Sequence, residues 1–250
     1  ISRPVVIRVD FFLARNENAP CQEAVYWDGT PQWVYDDIDN KNPNDPRPVI
    51  CGRKVGHVLH STDGQHSLLP MFDNPLWREA YYDMVRALGE HYRNNPQVAA
   101  VFINTGLDGE THLAKPVGGN DWPALASQQV GGLQYRFQQF VGQAMQVYRE
   151  AFPNTNVYIQ NAPGGSGMRT YTANLAASLD PPVGIKHCGM WVDAQNHHGF
   201  GSEVGTWDMY EAYSQTLPIW VESAYGFGSP ELFYWGWLAG LHYHPDSIDV

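Results

Sequence analysis

The chain has 250 residues, 43% of them hydrophobic and only 16% charged; that is the size of one (β/α)-barrel domain of ~250 residues, with too much apolar material for a disordered chain. A formal net charge of −11, with lysine only at Lys41, Lys54, Lys115 and Lys186, excludes the clustered cationic surface that nucleic acid requires, and it repels anionic membranes and polyanions. No apolar run approaches the ~20 residues of a membrane span, so no membrane and no nucleic acid partner is expected, and a neutral ligand fits best.

In chain order, the run VVIRVDFF (residues 5–12) is β-branched and aromatic and predicts the first strand. A stretch rich in Asn, Asp, Pro and Gly follows, and residues 13–72 are expected to form one long loop. A helix comes next: Asn74 suits its cap and Pro75 its first turn, with Leu76, Ala80, Tyr81, Met84, Leu88 and Tyr92 on one face. VAAVFIN (98–104) predicts a buried strand, followed by a glycine-rich loop. A second long helix is expected over 133–152, where Phe137, Phe140, Val141, Ala144 and Tyr148 recur at helical spacing.

NVYIQN (156–161) predicts a strand, a short helix falls near 173–179, and VGIKHCGM (183–190) predicts another strand. A helix near 207–215 precedes PIWVES (218–223), also read as a strand. Residues 232–241 are apolar, aromatic and helical in pattern, and 247–250 close the series as a sixth strand. Alternation of strand and helix implies a parallel α/β fold. The first strand opens into a long loop with no glycine fingerprint for a dinucleotide, which counts against a Rossmann-type sheet.

In parallel α/β folds, ligands meet the C-terminal ends of the strands. Those ends carry Asp10, then Asn104 with the run TGLDGE up to Glu110, then Gln160 and Asn161. The next two present His187, Trp191 and Asp193, and finally Glu222, Ser223 and Tyr225. Glu110 and Glu222 follow strands three apart, so in an eight-stranded barrel they face each other nearly across its mouth. Glycosidic cleavage needs such a pair: one carboxyl group protonates the leaving oxygen, and the other attacks the anomeric carbon or directs water to it.

Aromatic residues make up 13% of the chain, with nine Trp and fourteen Tyr. Several, including Tyr26, Trp27, Trp33 and Tyr35, fall in the long loop, where they either stack on sugar rings or pack beneath the loop. Trp191, directly after a strand, is the better sugar platform. His197, His198 and Glu203 lack the helix-borne spacing of a zinc hydrolase. The segment around Ser166 carries neither a nucleophile elbow nor a phosphate loop. No metal and no cofactor is therefore expected. Cys21 and Cys51 flank the long loop, and they either pair in an exported chain or stand as separate thiols with Cys188. An extracellular or periplasmic location is the expectation.

The block FDNPLWREAYYDMVRALGEHYRNNPQVAAVFINTGLDGETH resembles the segment leading to the acid/base residue of clan A glycoside hydrolases, in particular the beta-galactosidase-like group. That resemblance implies a (β/α)8 TIM barrel in which GLDGE follows strand four and PIWVES ends strand seven. The strand at 5–12 then becomes strand three and the one at 247–250 strand eight, so that strands one and two are lacking in this chain. It further implies a retaining mechanism, with Glu110 as acid/base and Glu222 as nucleophile. Gly109 stands where the clan commonly has Asn, and Asp108 is the alternative acid/base. Tyr225 and His187 would steady the nucleophile, and His112 would approach the leaving group. A non-catalytic carbohydrate-binding barrel and a barrel of different chemistry, such as metal-assisted hydrolysis, are the competing expectations.

Overall fold

The computed structural model of the chain describes residues 4–9, 30–41, 49–50, 53–54, 58–61, 67–70, 72, 74–106, 111, 132–161, 168–188, 206–223 and 229–249. The elements are β1 (Val5–Arg8), α1 (Gln32–Lys41), β2 (Val49–Ile50), β3 (Arg53–Lys54), β4 (Val58–Ser61), β5 (Ser67–Pro70) and α2 (Pro75–Tyr92). They continue with β6 (Val98–Ile103), α3 (Gly132–Ala151), β7 (Asn156–Gln160), α4 (Met168–Ser178), β8 (Gly184–Cys188), α5 (Thr206–Tyr213), β9 (Ile219–Glu222), α6 (Pro230–His242) and β10 (Ser247–Asp249).

Six strands form one sheet in the order β1-β6-β7-β8-β9-β10, and every neighbouring pair is parallel. This order decides the architecture. A doubly wound sheet reverses its strand order at a switch point, whereas here each strand lies beside the one before it in the sheet's chain order. With helices between the strands, the sheet curls as six consecutive members of a (β/α)8 barrel. β6 and β9 are three strands apart, and β1 and β10 form the two edges.

Strand alternation separates two faces. Val101, Ile103, Val157, Ile159, Ile185, Ile219 and Val221 join the main core beneath the helices. Ala100, Phe102 and Tyr158 form a second cluster on the inner face of the curl, with Trp220 against it. Trp220 meets Phe102 and Tyr158 edge-on at centroid distances of 5.0 and 5.3 Å. Gly184 makes room for this cluster, since a Cβ there would lie 2.4 Å from the Tyr158 ring.

The start of α2 follows from its sequence. Asn74 caps it, its side chain accepting from the backbone N–H groups of Leu76 and Trp77, with Pro75 in the first turn. Its buried residues are Trp77, Tyr81, Tyr82, Val85 and Gly89. Met84, expected on the inward face, is 37% exposed. The helix is rotated toward α3 because Gly89 sits directly on Ala151, whose carbonyl oxygen would be 2.5 Å from an added Cβ. On α3, the expected residues Phe137, Phe140, Val141, Ala144 and Tyr148 are all buried.

The stretch 13–72, expected as a loop, contains α1 and two small antiparallel ladders, β2–β3 and β4–β5. α1 buries Val34, Tyr35 and Ile38, and its other positions are polar apart from the exposed Trp33; three anchors in ten residues are too few to show as a period among so many Asn and Asp. α4 begins earlier than expected because Arg169, a residue type normally assigned to the surface, is buried there at 2% exposure. α6 is apolar on nearly all sides, and Tyr234, Trp235, Leu238 and Leu241 remain exposed. No helix among the described residues is long and apolar enough to cross a membrane.

Candidate active site

Because the six strands are parallel, their C-terminal ends share one rim. Asn104 follows β6, Gln160 ends β7, Cys188 ends β8, Glu222 ends β9 and Asp249 ends β10. Register aligns Gln160 with Lys186, Cys188 with Glu222, and Glu222 with Asp249.

Glu222 directly follows Val221, the last core-facing residue of β9, and so lies on the same face as Trp220. Its Oε2 forms an ion pair with Lys186 Nζ; the lysine side chain is 3% exposed and the glutamate side chain 32%. The Lys186 ammonium also lies 4.4 Å from the centroid of the Phe102 ring, within the range of a cation–π contact. The cation is thus enclosed by the inner aromatic cluster, while the carboxylate reaches the open side of the rim. Beside it, Asp249 Oδ2 accepts a hydrogen bond from Trp220 Nε1 at 3.2 Å. An ammonium in contact with a carboxylate favours its ionised form, so the inner rim holds a carboxylate set up as an anion.

Lys186 was not among the sequence candidates. Its signal was present, however: a lysine in the middle of the strand VGIKHCGM, in a chain with few lysines, has no solvent on either side to receive it.

His187 points the other way. Its ring lies 4.9 Å from that of Tyr210 on α5, and the residue is 3% exposed on the helix-facing side of β8. Burial, followed by the nearby Arg169 charge, pushes the His187 imidazole down to about 3, so it is neutral at physiological pH. The structure therefore does not bring His187 to Glu222, because adjacent residues of a strand project to opposite faces.

Asn161 is also bound into the helix-side layer. It is fully buried, its Nδ2 donates to the Arg169 carbonyl at 3.4 Å, and its own carbonyl accepts from the Tyr210 hydroxyl at 3.2 Å. Asn104 is 1% exposed at the end of β6, its carbonyl accepting from the Tyr81 hydroxyl at 3.0 Å. Trp33 sits on α1, 64% exposed, and lines a small pocket of about 110 Å³ with Thr30, Trp77 and Met84 between α1 and α2. Tyr35 is 1% exposed and takes the packing role.

Thr111, the residue between Glu110 and His112, is completely buried and its hydroxyl donates to the carbonyl of Gln160 at the end of β7. Glu110 itself lies outside the described residues, as do Asp10, Trp27, Asp108, His112, Trp191, Asp193 and Tyr225. The cysteines Cys21 and Cys51, the segment around Ser166, and His197, His198 and Glu203 also lie outside them.

No protein-family model and no curated protein matches the sequence. Among solved structures, the chain is similar to endo-glycoceramidase II from Rhodococcus sp., described as a lactosyl-enzyme intermediate, with a TM-score of 0.47 and 16% identity, covering 98% of this chain and 55% of that one. It is also similar to a mutant of xylanase A from P fluorescens subsp. cellulosa in complex with xylopentaose, with a TM-score of 0.35 and 16% identity, covering 88% of this chain and 69% of the other. The chain spans about half the length of the endo-glycoceramidase.

Proposed function

We propose that this chain carries the catalytic centre of a retaining glycosidase acting on a neutral poly- or oligosaccharide, with Glu222 as nucleophile and Glu110 as acid/base. The observation that carries the reading is the position of Glu222: a carboxylate at the C-terminal end of an inward strand position, beside a buried ammonium. Such a strand end is where barrel chemistry resides, and a nucleophilic carboxylate must be ionised before substrate arrives. The anchoring of Thr111 on Gln160 supports the second role, since it ties the residue next to Glu110 to the same rim.

In this mechanism the Glu222 carboxylate attacks the anomeric carbon as the glycosidic bond breaks, and Glu110 gives its proton to the departing oxygen. Water, losing a proton to Glu110, then attacks the glycosyl ester and frees the Glu222 carboxylate. The aromatic residues Trp27 and Trp191, with His112 and Tyr225, are proposed to contact the sugar or its leaving group. The acidic chain disfavours polyanionic sugars, which is why a neutral glycan is proposed.

The test is turnover of a panel of neutral aryl glycosides and glucans by the wild type, Glu222→Gln and Glu110→Gln. Loss of at least ~10³-fold in kcat for Glu222→Gln, with sugar affinity retained, is expected. Equal turnover in that variant overturns the reading. A wild type that binds sugar without turning it over makes the chain a carbohydrate-binding barrel instead. Activity undiminished by a chelator is expected, and its loss points to metal-assisted hydrolysis.

A further inference from the structure

We propose that Lys186 is the positioning residue of Glu222: its enclosed ammonium keeps this carboxylate ionised at acidity where an ordinary glutamate takes up a proton. The catalytic consequence rests on the role proposed above for Glu222; the coupling between the two groups does not.

The case starts from where Lys186 stands. β8 is covered on both faces, and Lys186 occupies the inner one, in register with Gln160 of β7 and Trp220 of β9 and with its ammonium over the Phe102 ring. Taking an ammonium out of water costs several kcal/mol, and an apolar side chain of similar volume fills such a space at less cost. A lysine here is therefore poorly explained by stability alone. What it does have is an anionic partner, Glu222, and an aromatic ring, Phe102, against its ammonium.

The exposures of the pair differ in a useful direction. The cation is locked in at 3% exposure, while the anion retains 32% and so reaches the rim. A pair serving only to fill the core would enclose both members.

The other charged groups on strands packed against β9 do not reproduce this effect. Asp249 of β10 is aligned with Glu222, but it is negative and its Oδ2 is engaged by Trp220 Nε1. Asp246 accepts from the backbone N–H of Ile219 at the opposite end of β9. Cys188 of β8 is the direct register partner of Glu222, and Tyr158 of β7 lies in the inner cluster, its phenol pushed up to about 12 by burial and by Asp246, hence neutral. Lys186 is the cation in contact with the carboxylate, and Coulomb attraction is strongest for the group in contact.

The same ammonium has a role in each half of double displacement. It orients the carboxylate for attack, and it stabilises the carboxylate as leaving group when water cleaves the glycosyl ester.

The experiment is an NMR titration of the Glu222 side-chain carboxyl carbon in isotope-labelled protein, with Glu222→Gln identifying the resonance. It compares wild type, Lys186→Met and Lys186→Arg. A rise of the midpoint by one unit or more in Lys186→Met, largely reversed in Lys186→Arg, is expected; a smaller rise overturns the proposal. Should Lys186→Met fail to fold, the wild type decides: a midpoint below the ordinary glutamate value of ~4.3 supports coupling, and one at or above it overturns it. The acidic limb of kcat/KM, measured in parallel, should rise with the NMR midpoint. An NMR shift with no change in that limb leaves the coupling standing and removes Glu222 from catalysis instead.

Discussion

The imidazole of His187 packs 4.9 Å from the Tyr210 ring on the helix side of β8, while its neighbour Lys186 pairs with Glu222 on the inner side. One strand thus presents a neutral histidine to the core and a cation to the candidate site. The histidine makes folding sensitive to acid. Its folded value is pushed down to about 3, first by burial and then by Arg169, whereas an unfolded histidine titrates near ~6.5. Between those values the unfolded chain binds a proton that the folded chain does not, so stability is complete above ~6.5 and falls as pH drops through that window. The wild type should lose on the order of 3 kcal/mol from this group by pH ~4. His187→Phe, which keeps a ring against Tyr210, should show a correspondingly flatter fall in urea denaturation at pH ~7 and ~4.

Gly184 is where the inner aromatic cluster is most sensitive. A Cβ there would meet the Tyr158 ring at 2.4 Å and the Pro218 carbonyl oxygen at 2.8 Å. The second contact is backbone and cannot rotate away. Gly184→Ala should therefore destabilise the fold by about 1–3 kcal/mol, a drop of roughly 3–10 °C in Tm by calorimetry. A change under ~0.5 kcal/mol would mean that β8 shifts to accept the methyl group.

Tyr81 ties α2 to the end of β6. Its hydroxyl is within hydrogen-bond distance of the Asn104 carbonyl (3.0 Å) and the Tyr148 hydroxyl (3.1 Å), and its ring stacks on Trp77 at 5.4 Å. Tyr81→Phe keeps the stack and removes both polar contacts, so a loss of about 1–2 kcal/mol is expected by chemical denaturation. Combined with Tyr148→Phe, the effects should be less than additive, because the two hydroxyls share one contact.

The capped start of α2 offers a local test. Asn74→Ala removes the acceptor for the Leu76 and Trp77 N–H groups and should destabilise by about 1 kcal/mol, while Asn74→Asp should preserve most of the cap.

The sequence alone determined the elements whose cause is local. Asn74 and Pro75 announce the start of α2, the spacing from Phe137 to Tyr148 announces the buried stripe of α3, and the apolar runs at 98–103, 156–160, 184–188 and 219–222 announce strands. It also put Glu222 at a strand end three strands from the one that leads to Glu110. What it left open was the side to which each residue of a strand points. In a sheet covered on both faces, neither side is water, so polarity does not mark the inner one. Reading VGIKHCGM therefore favoured His187 and passed over Lys186, although only Lys186 faces Glu222. Likewise Trp33 and Tyr35, two residues apart on one polar helix, look alike in sequence yet end 64% and 1% exposed. Tertiary structure decided these points, because they depend on partners far along the chain. Lys186 meets Phe102 and Glu222, and Gly89 meets Ala151, only once the sheet has curled and the helices have packed against it.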